Sequence, residues 1–205
     1  MSNGLIALLV LLAVAIGWIV SVFNRLVRSR NRMNNAYAQI DVQLRRRHDL
    51  VPNLVNTARG YLQHERQTLE AVTVARQRAS DARQAVCGSF EKRVGSAGKV
   101  ELLEALDRAE AGLNTALGKF SMVVEAYPEL KADHTIMQLT EELTSTENRI
   151  GFARQAFNDA VNFHNDTIGQ FPDSLVATAC GFTVAGFLRS TTKASERAPV
   201  MVNLS

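Results

Sequence analysis

At 205 residues, with a net charge of +3 and 46% hydrophobic side chains, the chain suits one domain with appendages. The positive excess sits directly behind an apolar start, and no arginine-rich stretch is interleaved with aromatics, which argues for membrane topology and against a nucleic-acid partner. Cys87 and Cys180 lie far apart; a single pair supplies neither a disulfide scaffold nor a complete zinc site, so both read as free thiols of a reducing compartment.

Gly4 to Phe23 carries no charge. As a helix it spans roughly 30 Å, the thickness of a bilayer's hydrocarbon core. Met1 to Asn3 lack the basic region of a cleaved signal peptide, so the segment reads as a retained transmembrane helix. Arg25, Arg28, Arg30 and Arg32 follow it and precede the first acid, Asp41. The positive-inside rule then places residues 1–3 outside and the remainder in the cytoplasm. Ala13, Gly17 and Ser21 share one face of this helix, and small residues at that spacing let two backbones approach in lipid.

From Met33, apolar residues recur at helical spacing through Tyr37, Ile40, Leu44, Val51, Val55, Ala58, Leu62, Leu69 and Val72, with two gaps. The rhythm predicts an amphipathic helix, kinked near Pro52 and helical again to about Arg83. The small residues Cys87-Gly88-Ser89 and Gly95 to Gly98 predict a loop. Val100 to Ala126 resumes the rhythm, and Tyr127-Pro128 stops it. A last long helix begins near Asp133 to Thr135, with Thr135 and Gln138 fitting a capping box. Its stripe runs from Ile136 to Ile168, and Phe171-Pro172 ends it. Leu175 to Leu188 is uncharged and too short to cross a bilayer, so it is expected to pack on the bundle or on a neighbouring subunit. Period-two alternation long enough for a sheet is lacking.

Ile40 to Leu54 reads IDVQLRRRHDLVPNL, and GYLQHERQTLEAV follows it. Near the other end stands TENRIGFARQAFNDAVNFHNDTIGQFPDSLVA, with ERAPVMVN later. With the apolar N-terminal helix, these blocks resemble the LemA family over nearly the whole chain. Asp41, Arg46, Asp49, Pro52, Asn53, Leu54, Glu147, Asn148, Arg149, Phe171 and Pro172 carry the motif. The resemblance implies an all-α protein, with a transmembrane helix followed by an antiparallel bundle of three to four long helices. It brings no catalytic residue with it. The expected organisation is a transmembrane helix over 4–23, a cytoplasmic bundle over 24–172, and a tail over 173–205.

Candidate chemistry is thin. His64-Glu65 would need a second histidine at position 68 for a zinc-protease helix, and that position is Thr68. The cluster Arg45 to Asp49 stands roughly 33 Å along a straight helix from the membrane edge. That is several Debye lengths of about 8–10 Å, so it reads as a solvated or helix-pairing face. His164, on the apolar stripe, reads as a hydrogen-bonded core histidine. Glu142, Glu147, Asn148 and Arg149 read as polar contacts of the bundle. No phosphate-binding loop, nucleophile elbow or dinucleotide fingerprint is present. Catalytic, metal and cofactor sites are therefore expected to be none. The expected partners are the lipid bilayer, further copies of the chain and other membrane proteins. Such a chain would act as a non-enzymatic scaffold, or alternatively as an adaptor that recruits a partner.

Overall fold

The structure, a computed structural model, describes residues 3–62, 65–91 and 96–188. Among these are six helices and no strand: α1 Asn3–Arg59, α2 Arg66–Glu91, α3 Ser96–Ala126, α4 Pro128–Lys131, α5 His134–Gly169 and α6 Asp173–Ala179. The all-α bundle expected from the sequence is what forms.

α1 runs unbroken for 57 residues, about 85 Å at the helical rise. Its first part is apolar and long enough to cross a membrane, and up to Ser21 only Ala15 is even half-covered by the rest of the chain. From Val22 the buried positions Leu26, Ser29, Met33, Tyr37, Ile40 and Leu44 recur every three or four residues. That period turns one face inward, so the same helix becomes the spine of the bundle. α5 packs along most of it, α2 takes its adjacent flank, and α3 packs chiefly on α2.

The helix does not break at Pro52, which lies inside it. Proline cannot donate to the carbonyl four residues earlier, here that of His48. Arg76 of α2 supplies the missing donor, its Nε reaching the His48 oxygen at 3.0 Å. The helix ends instead at Arg59, where the amides of Tyr61 and Leu62 both close on the Ala58 carbonyl at 3.0 Å. Shared acceptors of this kind tighten a last turn, and buried Leu62 pins the turn against the core. The expected continuation to Arg83 is thus a second helix.

Two further expectations are corrected. Cys87, Gly88 and Ser89 belong to α2, and Ser96, Ala97 and Gly98 to the start of α3, not to a loop; the buried Ser89 hydroxyl finds its partner within the helix, at the Val86 carbonyl 2.6 Å away. The cap of α5 is Asp133 rather than a Thr135–Gln138 box. Its carboxylate accepts from the amides of Thr135 at 2.8 Å and Ile136 at 3.0 Å. A carboxylate at an N-terminus satisfies orphan amides and meets the positive helix end. Those amide bonds, with Tyr61's hydroxyl, hold the Asp133 carboxyl below its usual range. Tyr127 is extended before Pro128, which opens α4, as the residue preceding proline requires.

The apolar interior falls into three parts. Leu54, Val55, Leu113, Phe120 and Ile136 form the end farthest from the apolar N-terminal run. Ile40, Leu44, Leu106, Phe157 and Leu188 form the middle. Val22, Leu26, Val176 and Ala177, with Ile168 and Phe182 packed on them, form the base beside that run. Of the segment Leu175 to Leu188, Val176, Ala177 and Phe182 pack into the base and Ala185 and Leu188 into the middle, as expected, while Leu175, Val184 and Phe187 stay exposed.

Candidate functional site

Polar layers separate these three cores. The first lies one turn beyond Leu44, where Arg47 and His48 face inward, 3% and 2% exposed. The solvated reading of this cluster therefore fails for these two residues, although Arg45, Arg46 and Asp49 remain exposed. Glu110 of α3, 1% exposed, receives Arg47 Nη1 at 3.2 Å and His48 Nε2 at 2.8 Å. Arg47 also bonds Asn114 of α3 and pairs with Glu147 of α5 at 3.0 Å. Asn114 closes the ring by donating to Glu147 at 3.3 Å. Nearer the base, Asp41 of α1 takes Arg83 of α2 at 2.7 Å and the Cys87 thiol at 3.2 Å. Arg154 of α5 meets Asp107 of α3 at 2.9 Å.

Each of the four long helices is thereby tied to a neighbour by a buried or half-buried ion pair. Such pairs add little net stability, because desolvation offsets attraction. Breaking one by sliding a helix is costly, however, so the layer fixes register. Tyr37 sits beside it, against the tilted ring of Phe90 and edge to face with Phe157. Burial first, then Cys87 and Asp41, push its phenol far above the usual range.

The second layer is a single pair. Ser29 Oγ of α1 lies 2.8 Å from His164 Nδ1 of α5, as expected for a core histidine with a partner. Burial pushes the His164 pKa below 6.5; a hydrogen bond to the Thr183 backbone opposes this and the Arg30 charge adds to it.

The tail is held on α5 by two asparagines. Asn165 accepts from the Ala185 amide at 2.9 Å and donates to its carbonyl at 3.0 Å. Asn158 does the same for Leu188, at 3.1 Å and 2.8 Å. Seven helical residues rise about 10.5 Å and three extended residues about 10 Å, so the two spacings match.

The motif residues fall into separate places. Asp41, Arg46, Asp49 and Asn53 line one shallow depression on the outer face of α1, with Arg45 and Leu50. Leu54 is in the far core. Glu147 and Asn148 border a cavity of about 360 Å³ along the seam between α3 and α5, floored by Arg47 and Leu54. Arg149 is exposed. Phe171 is exposed before Pro172, which caps α6. Ala13, Gly17 and Ser21 lie exposed on the apolar run, and nothing approaches within 4 Å of a Cβ built on Gly17. Arg25 pairs with Asp173 at 3.0 Å, Arg30 lies over Phe182 and Arg32 over Phe163, while Arg28 is exposed. His64 lies outside the described residues. Among the described residues no three His, Cys, Asp or Glu side chains gather as a metal site.

The fold and these layers define a helical bundle with polar registers, carried on one N-terminal helix apolar enough to cross a membrane. The chain belongs to the LemA family, whose profile matches residues 36–203. It is similar to Magnetosome protein MamQ 2 of Paramagnetospirillum magneticum, 26% identical over 73% of this chain and 58% of that protein. It is similar to Magnetosome protein MamQ of Magnetospirillum gryphiswaldense at 26% over 71% and 56%, and to Protein LemA of Metamycoplasma hominis at 26% over 75% and 63%. The matched region thus covers about six-tenths of the length of these curated relatives.

Proposed function

We propose that this protein is a non-enzymatic, membrane-anchored helical scaffold that assembles with itself and organises or remodels the bacterial inner membrane. The bundle lies in the cytoplasm and the N-terminus outside. The observation that carries this reading is the continuity of α1. One helix is uncovered as far as Ser21 and then forms the spine of the bundle. With no linker between them, contacts made by the apolar run in the membrane are passed rigidly to the bundle. The small face Ala13, Gly17 and Ser21 supplies a place for those contacts. Kinship with proteins named for the magnetosome supports an organising role. Every buried carboxylate of the interior layers is taken up by a cation, which suits a structural more than a catalytic use.

Extraction in mild detergent, sizing and mass spectrometry test this. A large uniform particle made only of this chain is expected, weakened by Gly17→Ile and unchanged by Leu8→Ile. A monomer would refute the self-assembly. A reporter after Ser205 that fluoresces only in the cytoplasm should be bright, and a dark one refutes the orientation. The seam between α3 and α5 favours a second reading, an adaptor. Its apolar Leu117, Phe120 and Leu143 and polar Thr144 and Asn148 resemble a binding groove. A stoichiometric partner lost on Thr144→Lys would favour that reading.

A further inference from the structure

The base core holds α6 beside the last turn of the apolar run. Val176 and Ala177 pack on Val22 and Leu26, and Arg25 clamps buried Asp173 at 3.0 Å. Val22 precedes by one residue the end of the uncharged stretch at Phe23, and Leu26 is about 4.5 Å beyond it at the helical rise. α6 is thereby fixed to the end of the apolar run.

The outer side of α6 carries Leu175, 62% exposed, with Thr178 and Ala179, and Phe171, 81% exposed, stands in the turn just before the helix. Val184 and Phe187 of the tail are also exposed. From Ser174 to Leu188 there is no charge, and the single acid of this segment, Asp173, is already neutralised. Arg25 reaches Asp173 and Arg30 lies over Phe182, Phe23 meets Phe182 edge to face, and Arg28 and Arg32 follow on α1. Uncovered apolar surface of this kind marks an interaction site, and aromatics with flanking arginines are the side chains of a headgroup region.

We infer that α6 is a second membrane contact. Phe171 and Leu175 seat in the boundary between headgroups and acyl chains of the leaflet from which α1 emerges, with the arginines on lipid phosphates. The occupant is the bilayer and not a second copy, because α6 packs on Val22 at the very end of the apolar run, with the cations Arg25 and Arg30 in contact with it and with the tail behind it. Two contacts, one spanning and one lying flat, fix the tilt and rotation of the bundle over the membrane. The inference rests on the membrane anchorage proposed above, but not on self-assembly.

Trp18 is the chain's one tryptophan, so single-tryptophan variants of the full chain in vesicles test this. The unmodified protein reports the run, Trp18→Phe with Leu175→Trp reports α6, and Trp18→Phe with exposed Met122→Trp reports the bundle surface. Vesicles of anionic and zwitterionic lipid carry a nitroxide quencher just below the headgroups. The expected result is blue-shifted emission at position 175, losing more than half its intensity to the quencher, while position 122 stays water-like and unquenched. Water-like, unquenched emission at 175 beside a membrane-like Trp18 overturns the inference and leaves the anchorage standing. Blue-shifted emission at 175 without quenching means a second copy covers α6, and also overturns it. A water-like Trp18 overturns both.

Discussion

Arg76 donates to the backbone carbonyl of His48 at 3.0 Å, and His48 is the residue whose carbonyl Pro52 leaves without its helical partner. This one contact lets a proline sit within a helix of 57 residues. A buried acceptor stripped of its donor costs about 1–3 kcal/mol. Arg76→Leu should therefore lower stability by about that much in a urea titration of the full chain in detergent. In a Pro52→Ala background the amide of residue 52 takes the carbonyl, and the same change should cost at least about 1 kcal/mol less. Equal costs in the two backgrounds would show that Arg76 acts otherwise.

Helix content and two of the stops were legible because they depend on local chemistry: the apolar rhythm, Tyr127-Pro128 and Phe171-Pro172; the stop after Arg59 was not, because the apolar rhythm carries on across it. The continuity at Pro52 was not, since its remedy comes from α2, distant in sequence. The polar layer left a trace that the sequence reading passed over. Arg47 and His48 occupy the slot between Leu44 and Val51, and Glu110 that between Leu106 and Leu113. A charged residue standing where the apolar period demands a core side chain signals a buried pair. Its partners cannot be named from one helix, because they depend on how the other three are registered.

The layer itself makes the second prediction. Glu110→Leu removes the carboxylate that faces buried Arg47 and His48. A fully uncompensated buried charge costs about 3–5 kcal/mol; Arg47 keeps Glu147 and Asn114, so the loss should stay below that, while the thermal midpoint still falls. Arg47→Met and His48→Phe added to it should recover most of the loss, as Glu147 is half-exposed and can turn to water. If the triple variant melts no higher than Glu110→Leu alone, the charges are not what holds this layer.

His164 gives a pH dependence whose sign is fixed. Its folded-state pKa lies below the ordinary 6.5, chiefly through burial. Above pH 6.5 folded and unfolded forms are both neutral there, and its contribution is fully present. As pH falls below 6.5 the unfolded chain takes up a proton that the folded one refuses, so stability declines until the folded pKa is reached. The unfolding midpoint should thus drop between pH 7 and mildly acid pH, and His164→Gln should flatten that part of the profile. An unchanged slope in this variant would assign the acid sensitivity to other groups.

The asparagine clamp decides whether the tail is an ordered part of the bundle. Asn158 and Asn165 each give both an acceptor and a donor to one tail residue, as a neighbouring strand would. Each such bond contributes about 1 kcal/mol, so Asn165→Leu should cost about 2 kcal/mol locally and speed hydrogen exchange at the amide of Ala185 while leaving the α1–α5 core protected. Asn165→Asp separates the two halves of the clamp. The carboxylate still accepts from the Ala185 amide, but it sets a negative oxygen against the Ala185 carbonyl where the amide group donated. If both halves matter, Asp should release the tail at least as fully as Leu, and Asn158 should lose grip on Leu188 in turn, since that residue is held three positions further along. Leu188 is 1% exposed in the middle core, so its release should also open that core and lower the midpoint of the whole bundle. Exchange at Ala185 that is as slow in Asn165→Asp as in the unmodified chain would show that the acceptor alone holds the tail.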